Sequence, residues 1–150
     1  MRLSGPWSKS DIDAHLSGSR LPVRLGVGLS GGGVMVLSVW YIWRDDSIWC
    51  ASSENAELVK ALRRNPACGF EIARDEPPYF GVRGRGEASF EPGGDGLLKE
   101  LYQRYGGKLD HDFANWLLNR DSDEVAIRIR PEKMMSWDYR ERMAGAFETG

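Results

Sequence analysis

Few residues in this chain have the types and spacing that do chemistry unaided. The two histidines, His15 and His111, stand far apart in sequence. His15 falls on a short surface helix and His111 between Asp110 and Asp112 in a loop, so both read as solvated side chains rather than general bases or metal ligands. Cys50 and Cys68 lie in separate strand-like segments without CxxC spacing. They do not assemble a Cys/His zinc site and read as reduced core residues. No GxSxG marks a nucleophile elbow. The glycines at 31–33 precede a strand rather than a helix, which excludes a P-loop or a dinucleotide fingerprint, and Gly84-Arg85-Gly86 fails for the same reason. Arg83 and Arg85, two apart, share one strand face and suit an anionic group or a carboxylate, with a solvated face the plainer reading for at least one of them. Ser52 and Ser53 close a strand, where a hydroxyl ordinarily makes a turn or caps a helix. Any chemistry is therefore expected to be borrowed from a cofactor.

The elements that must position such a cofactor follow from periodicity. Ser8 to Leu16 reads as a short helix, with a capping-box spacing from Ser8 to Asp11, a hydrophobic staple between Trp7 and Ile12, and Gly18 as its stop. Leu21 to Leu29 alternates through Val23, Leu25 and Val27, and Ser30 to Gly33 supplies a hairpin turn. Val34 to Trp43 is an almost wholly apolar run, expected as one strand buried on both faces, against the core on one side and a ligand or second subunit on the other. Ser47 to Ser52 returns. Asn55 to Asn65 changes to helical period and ends at Asn65-Pro66. Ala67 to Ala73 and Tyr79 to Phe90 are strands, Leu97 to Tyr105 and Asp112 to Leu118 helices, Glu124 to Arg130 and Lys133 to Asp138 the last strands, and Tyr139 to Gly150 a tail. Six or seven strands with helices only in connections predict a mainly β, α+β domain, a closed or half-open barrel.

Composition agrees. One hundred and fifty residues with 41% hydrophobic and 28% charged side chains make one globular domain. Twenty basic residues against 22 acidic leave a formal charge of -2, which offers no support for a nucleic-acid partner. No apolar run approaches membrane-spanning length, and Met1 to Ser10 carries no apolar h-region, so no membrane is expected and the compartment is expected to be cytoplasmic. Eighteen glycines and six tryptophans suggest tight turns and a large flat ligand or a subunit contact to cover.

The ordered set LPVRLGV, GGVMVLSVWYIW, IWCASS, VKALRRNPACGFEI and PYFGVRGRGEASF, followed by DEVAIRIRPEKMMSWDY, resembles the flavin-binding split-barrel superfamily of the pyridoxamine 5'-phosphate oxidases. The resemblance implies a six-stranded antiparallel split β-barrel with short connecting helices that forms a homodimer, with flavin in a groove at the dimer interface. It implies an isoalloxazine beside Val36, Leu37, Ser38, Val39 and Trp40, and a phosphate held by Ala51, Ser52, Ser53 and the helix through Lys60, with Arg63 assisting. Trp137 matches a late tryptophan that can approach the cofactor from the other subunit. Read without the family, Val36, Leu37 and Val39 are equally barrel core, and Trp40, Trp43, Trp49 and Trp137 are equally packing.

The departures from the family are specific. The Arg-Lys pair that neutralises the FMN phosphate is replaced by Glu57 and Leu58, and the basic residues of the second strand by the apolar Met35, Val36 and Leu37. A carboxylate repels a phosphate. Pyridoxamine phosphate oxidation is therefore not expected. What remains is a flavin-dependent oxidoreductase-like protein using FMN, or F420 in its place, on a small-molecule substrate, with Tyr41, Tyr79 and Ser38 as the available proton-carrying side chains. The alternative is a non-catalytic dimer that holds a flavin or haem, or has lost its cofactor. F420 would want Arg63, Arg64, Arg83 and Arg85 to converge on one groove.

Overall fold

A computed structural model of the chain describes residues 1–107, 111–118 and 123–146. In chain order the elements are β1 (Arg2–Ser4), α1 (Lys9–Gly18), β2 (Val23–Gly28), β3 (Val34–Val39), β4 (Ile42–Arg44), β5 (Ser47–Ser53), α2 (Glu57–Arg64), β6 (Ala67–Ala73), β7 (Phe80–Glu91), α3 (Gly94–Arg104), α4 (His111–Leu118) and β8 (Glu124–Asp138). The strands form one sheet in the order β3-β2-β6-β7-β8-β5-β4, antiparallel throughout, with β1 added parallel to β8. The sheet curls into a half-barrel. Its two terminal strands, β3 and β4, are consecutive in sequence, so the split falls between them.

Alternation sorts the residues of each strand onto two faces. The inner face carries Val23, Leu25, Val27, Ile48, Cys50, Phe70, Ile72, Val82, Ile127, Ile129 and Met134, all buried. Two helices close this core. Ile12 and Leu16 of α1 and Leu58, Val59, Ala61 and Leu62 of α2 join it. The Ser8 capping box forms as its spacing predicts: Asp11 N–H donates to Ser8 Oγ at 3.1 Å, and Ser8 N–H donates to Asp11 Oδ2 at 2.9 Å. Trp7 packs against the core that contains Ile12.

Three expectations about the strands are corrected. The sheet has eight strands among the described residues rather than six; six have at least six residues, and β1 and β4 have three each. The run from Val34 to Trp43 is not one strand, because the chain breaks at Trp40 and Tyr41. There the Tyr41 N–H donates to Tyr105 Oη at 3.2 Å, and the Tyr41 hydroxyl, turned inward, donates to the Leu16 carbonyl at 2.7 Å. Apolar content hides a change of partner. Along β3 one face meets the core as expected, through Met35, Leu37 and Val39, while Val34 and Val36 on the other face, the one expected to meet a ligand or second subunit, are 69% and 68% exposed in the single chain. Glu124 to Asp138 is one strand rather than two, absorbing its irregularity in a bulge opposite Arg85 and Gly86. The loop expected around His111 lies partly at 108–110, outside the described residues, and His111 itself opens α4. The end of the expected tail, 147–150, also lies outside them. No helix among the described residues is long and apolar enough to cross a membrane.

Candidate functional site

The outer face of the sheet divides in two. Over β4, β5 and the start of β8 it is covered by α3, whose buried Leu97 and Leu101 pack with Ala126, Ala51, Trp49 and Ile42. Over β3, β2, β6 and β7 it is bare. Cross-strand register lines up Val36, Gly26, Gly69, Arg85 and Lys133 in one row. The row beside it runs Ser38, Arg24, Glu71, Arg83, Met135. Gly26, Gly28 and Gly69 leave peptide backbone as the floor of a shallow cavity of 630 Å³, walled by Val34, Arg85 and Glu87. Five strands spaced about 4.8 Å apart make this row roughly 19 Å long, enough for a three-ring plane.

Past the end of β3 opposite Val34 stands an aromatic stack. Trp40 points to the same side as Val34, Val36 and Ser38, is 41% exposed, and stacks on Tyr105 with ring centroids 5.1 Å apart at 10°. Tyr105 is held by its hydroxyl, which donates to the Leu21 carbonyl at 3.0 Å. Arg104 beside it donates to the Leu16, Ser17 and Ser19 carbonyls at the end of α1. This clamp fixes the plane of Trp40. Because β3 is an edge strand, every second residue between Val34 and Val39 also turns its backbone N–H and C=O away from β2.

The residues singled out from sequence fall in three places. Val36, Ser38 and Trp40 line the bare face, while Leu37 and Val39 point inward to the core. Ala51, Ser52 and Ser53 lie on β5, three strands from β6 along the sheet, with Ala51 covered by α3. Ser53 Oγ accepts from the Asn55 N–H at 3.4 Å, a local turn. Lys60 Nζ sits 3.6 Å from Glu57 and Arg63 Nη2 3.7 Å from Glu54, and the Arg63 guanidinium lies 4.4 Å above the Phe90 ring. Leu58 is buried in the core. Trp137 shares the outer face and lies under Arg83, 5.5 Å from its ring centroid, but four strands from Val36. Arg63 and Arg83 do not converge: one lies over Phe90 and the other over Trp137, toward opposite ends of β7.

Side-chain acid–base chemistry finds little support. Burial pushes Tyr41 up to about 12, and Cys50 and Cys68 up to about 12 and about 11, so all three keep their protons. Among the described residues no cluster of His, Cys, Asp and Glu is placed to hold a metal ion. A cavity of 670 Å³ lies elsewhere, around Trp7, His15, Phe80 and Asp138. Its polar groups are already engaged: Asp138 accepts from Trp7 Nε1 at 2.9 Å and pairs with Arg140, and His15 Nε2 meets the Ile72 carbonyl at 2.9 Å. His15 is thus a packed residue, its ring 5.1 Å from Trp7 and 5.9 Å from Phe80, and not the solvated one its helix position suggests.

The sequence matches no family model and no curated protein. Solved structures do match. The conserved hypothetical protein Rv2991 from Mycobacterium tuberculosis superposes with a TM-score of 0.78 at 21% identity, over 97% of this chain and 93% of that one. The fold is that of the pyridoxamine 5'-phosphate oxidase-like split barrels. An F420 reductase shares it with a TM-score of 0.62 at 24% identity, over 81% of this chain and 94% of that one. So does HutZ, the haem storage protein from Vibrio cholerae, with a TM-score of 0.61 at 17% identity, over 89% and 94%. In the split barrel described here, the feature sequence reasoning missed is the glycine floor. Gly26 and Gly69 become neighbours only through the β2–β6 register.

Proposed function

We propose that two copies of this chain bring their bare faces together around a flavin-type cofactor, FMN or F420, and that the protein is an oxidoreductase acting on a small molecule. The observation that carries this reading is the glycine-floored trough over β2 and β6, rimmed by the exposed Val34, with Val36 beside it on the edge strand β3. A flat, backbone-lined floor, flanked by Val34 on one side and by Arg85 and Glu87 on the other, admits an aromatic plane where a Cβ row would lift it. Covering Val34, Val36 and Trp40 also removes apolar area from water at about 25 cal/mol per Å², so ligand and partner are favoured by the same surface. Such a cofactor supplies hydride or electron transfer when bound. The chain's own share is to position it: backbone groups of β3 near Ser38 hydrogen-bond its edge, Trp40 limits its travel, and the second copy excludes water. One structural neighbour, an F420 reductase, supports the same class of ligand.

The phosphate end fits poorly. Where the family's Arg-Lys pair would stand, Glu57 carries a negative charge and Leu58 is buried, and Lys60 and Arg63 each face a carboxylate. That observation favours the second reading, a dimer that holds a flavin or haem without catalysing a reaction. The absorption spectrum of freshly purified protein, with mass spectrometry of what denaturation releases and sedimentation of the native species, tests both. A flavin or deazaflavin near one per chain in a dimer is the expected result, and a haem band selects the second reading. A colourless monomer that takes up none of FMN, F420 or haem overturns both.

A further inference from the structure

The positive charge missing at α2 is present elsewhere, where one carboxylate, Glu71 opposite Arg83, faces three cations without forming an ion pair. Arg83 and Arg85 project from the same face of β7, and Lys133 of β8 stands directly opposite Arg85. Among the described residues none of the three has a carboxylate within 4.0 Å. This contrasts with Lys60 and Arg63, which each have one. Like charges directly opposite each other across two strands are destabilising, so the Arg85–Lys133 pair is a cost that the single chain does not offset. Arg83 is laid along the sheet by two soft contacts, the Trp137 ring at 5.5 Å and Met135 Sδ, 3.9 Å from its Nη2. The three cations surround a cavity of 390 Å³ whose other walls include Phe70, Met135 and one carboxylate, Glu71.

We propose that this groove binds the phosphoryl group of a small molecule. Two guanidinium forks and one ammonium suit a dianion with three acceptor oxygens, the forks by paired N–H donors and the lysine as a point charge. The spacing permits it: residues two apart on a strand lie about 7 Å apart and directly opposite residues about 5 Å, well within the reach of side chains this long. Met135 gives the rest of the ligand an apolar contact, and Arg85 lines both this groove and the trough, so the proposal rests on the reading above for what lies next door. It places the anionic end of the ligand across the sheet from Ser52 and Ser53.

The test uses inorganic pyrophosphate, titrated calorimetrically at low salt into the native protein and two double variants. Arg85→Gln with Lys133→Gln is expected to weaken pyrophosphate by about tenfold or more, while Lys60→Gln with Arg63→Gln leaves it unchanged. All four side chains are exposed, so the fold tolerates both doubles, which circular dichroism checks. FMN and riboflavin then distinguish the source. If the phosphoryl group belongs to the cofactor, pyrophosphate competes with FMN and the β7–β8 double erases the advantage of FMN over riboflavin. If it belongs to a separate molecule, pyrophosphate binds without displacing FMN. Failure of flavin uptake alone leaves the pyrophosphate result standing. No pyrophosphate binding, or loss in the α2 double instead, overturns the proposal. So does a β7–β8 double that changes only the oligomeric state, which would make the row an ion-pair set between copies.

Discussion

The covered and bare halves of the outer sheet face are built from the same strands by opposite choices. Under α3 the outward positions are filled by Trp49, Ala51 and Ala126, against which Leu97 and Leu101 pack. On β6 and β2, three and four strands from β5, they are Gly69, Gly26 and Gly28, with two valines left in water beside them. The first half is finished within one chain, whereas the second is kept flat and unfinished. An exposed apolar patch of this kind marks an interaction surface more often than an accident.

The largest expected effects test that division. Leu101→Ala, on the covered half, should destabilise the protein by about 3 kcal/mol in chemical denaturation, within the range for emptying a buried leucine site. Val36→Ala, on the bare half, should cost less than about 0.5 kcal/mol in the isolated chain. A loss at Val36 that grows with protein concentration would sharpen the comparison, since only an interface makes an exposed valine matter that way. Equal, concentration-independent losses at the two sites would break it.

The glycines make a second, smaller contrast. A Cβ on Gly84 would fall 2.7 Å from Phe70 Cζ and collide with the Lys133 carbonyl, so β7 can lie this close to β8 only without one. A Cβ on Gly69 would meet its nearest atom at 3.7 Å, an ordinary contact. Gly84→Ala should therefore cost about 2 kcal/mol by overpacking, and Gly69→Ala should be neutral or stabilising by a few tenths, from the lower chain entropy of alanine. Paired thermal melts read both. The folding of β7 needs the first glycine, and nothing within the chain needs the second.

This is also where sequence reading reached its limit. The period-two pattern of β2, the capping box at Ser8 and the helix ending at Asn65-Pro66 are local signals, and the structure contains all three. Arg83 and Arg85 on one face follow from spacing alone. The break at Trp40 and Tyr41 does not, because its cause is Tyr105, brought in by α3. Nor do the glycine floor and the addition of Lys133 to the arginines, which exist only once register sets β2 against β6 and β7 against β8. His15 was misread for the same reason: the ring's partners, Trp7, Phe80 and the Ile72 carbonyl, come from three other segments.

His15 gives a pH-dependent effect on the inner side, away from the trough. Burial outweighs its bond to the Ile72 carbonyl and lowers its pKa below the usual 6.5. The unfolded chain therefore takes up a proton before the folded one does. Stability is full above about pH 6.5 and falls as the pH drops toward the folded-state value, below which this contribution is gone. Midpoints of denaturation measured from pH 8 to 5 should show that decline, and His15→Gln should flatten it. The bare face carries no histidine among its described residues, so His15→Gln should leave pyrophosphate affinity unchanged at each pH of this range; if the variant shifts that affinity, the two regions are not independent.

A substitution with little expected effect on stability is the most informative about function. Gly26 has a φ in the ordinary range, and its added Cβ would lie 3.9 Å from both the Gly69 carbonyl and Val34 Cγ1. Valine also prefers strands. Gly26→Val should thus fold with stability within about 1 kcal/mol of the parent while raising a branched side chain from the centre of the trough floor. A folded variant that no longer takes up flavin would tie cofactor binding to the flatness of this face, since neither the core nor the Arg85–Lys133 row has changed. A folded variant that binds flavin as well as the parent would mean that the ring lies elsewhere on the barrel, and that the missing side chains of β2 and β6 serve the approach of a second copy alone.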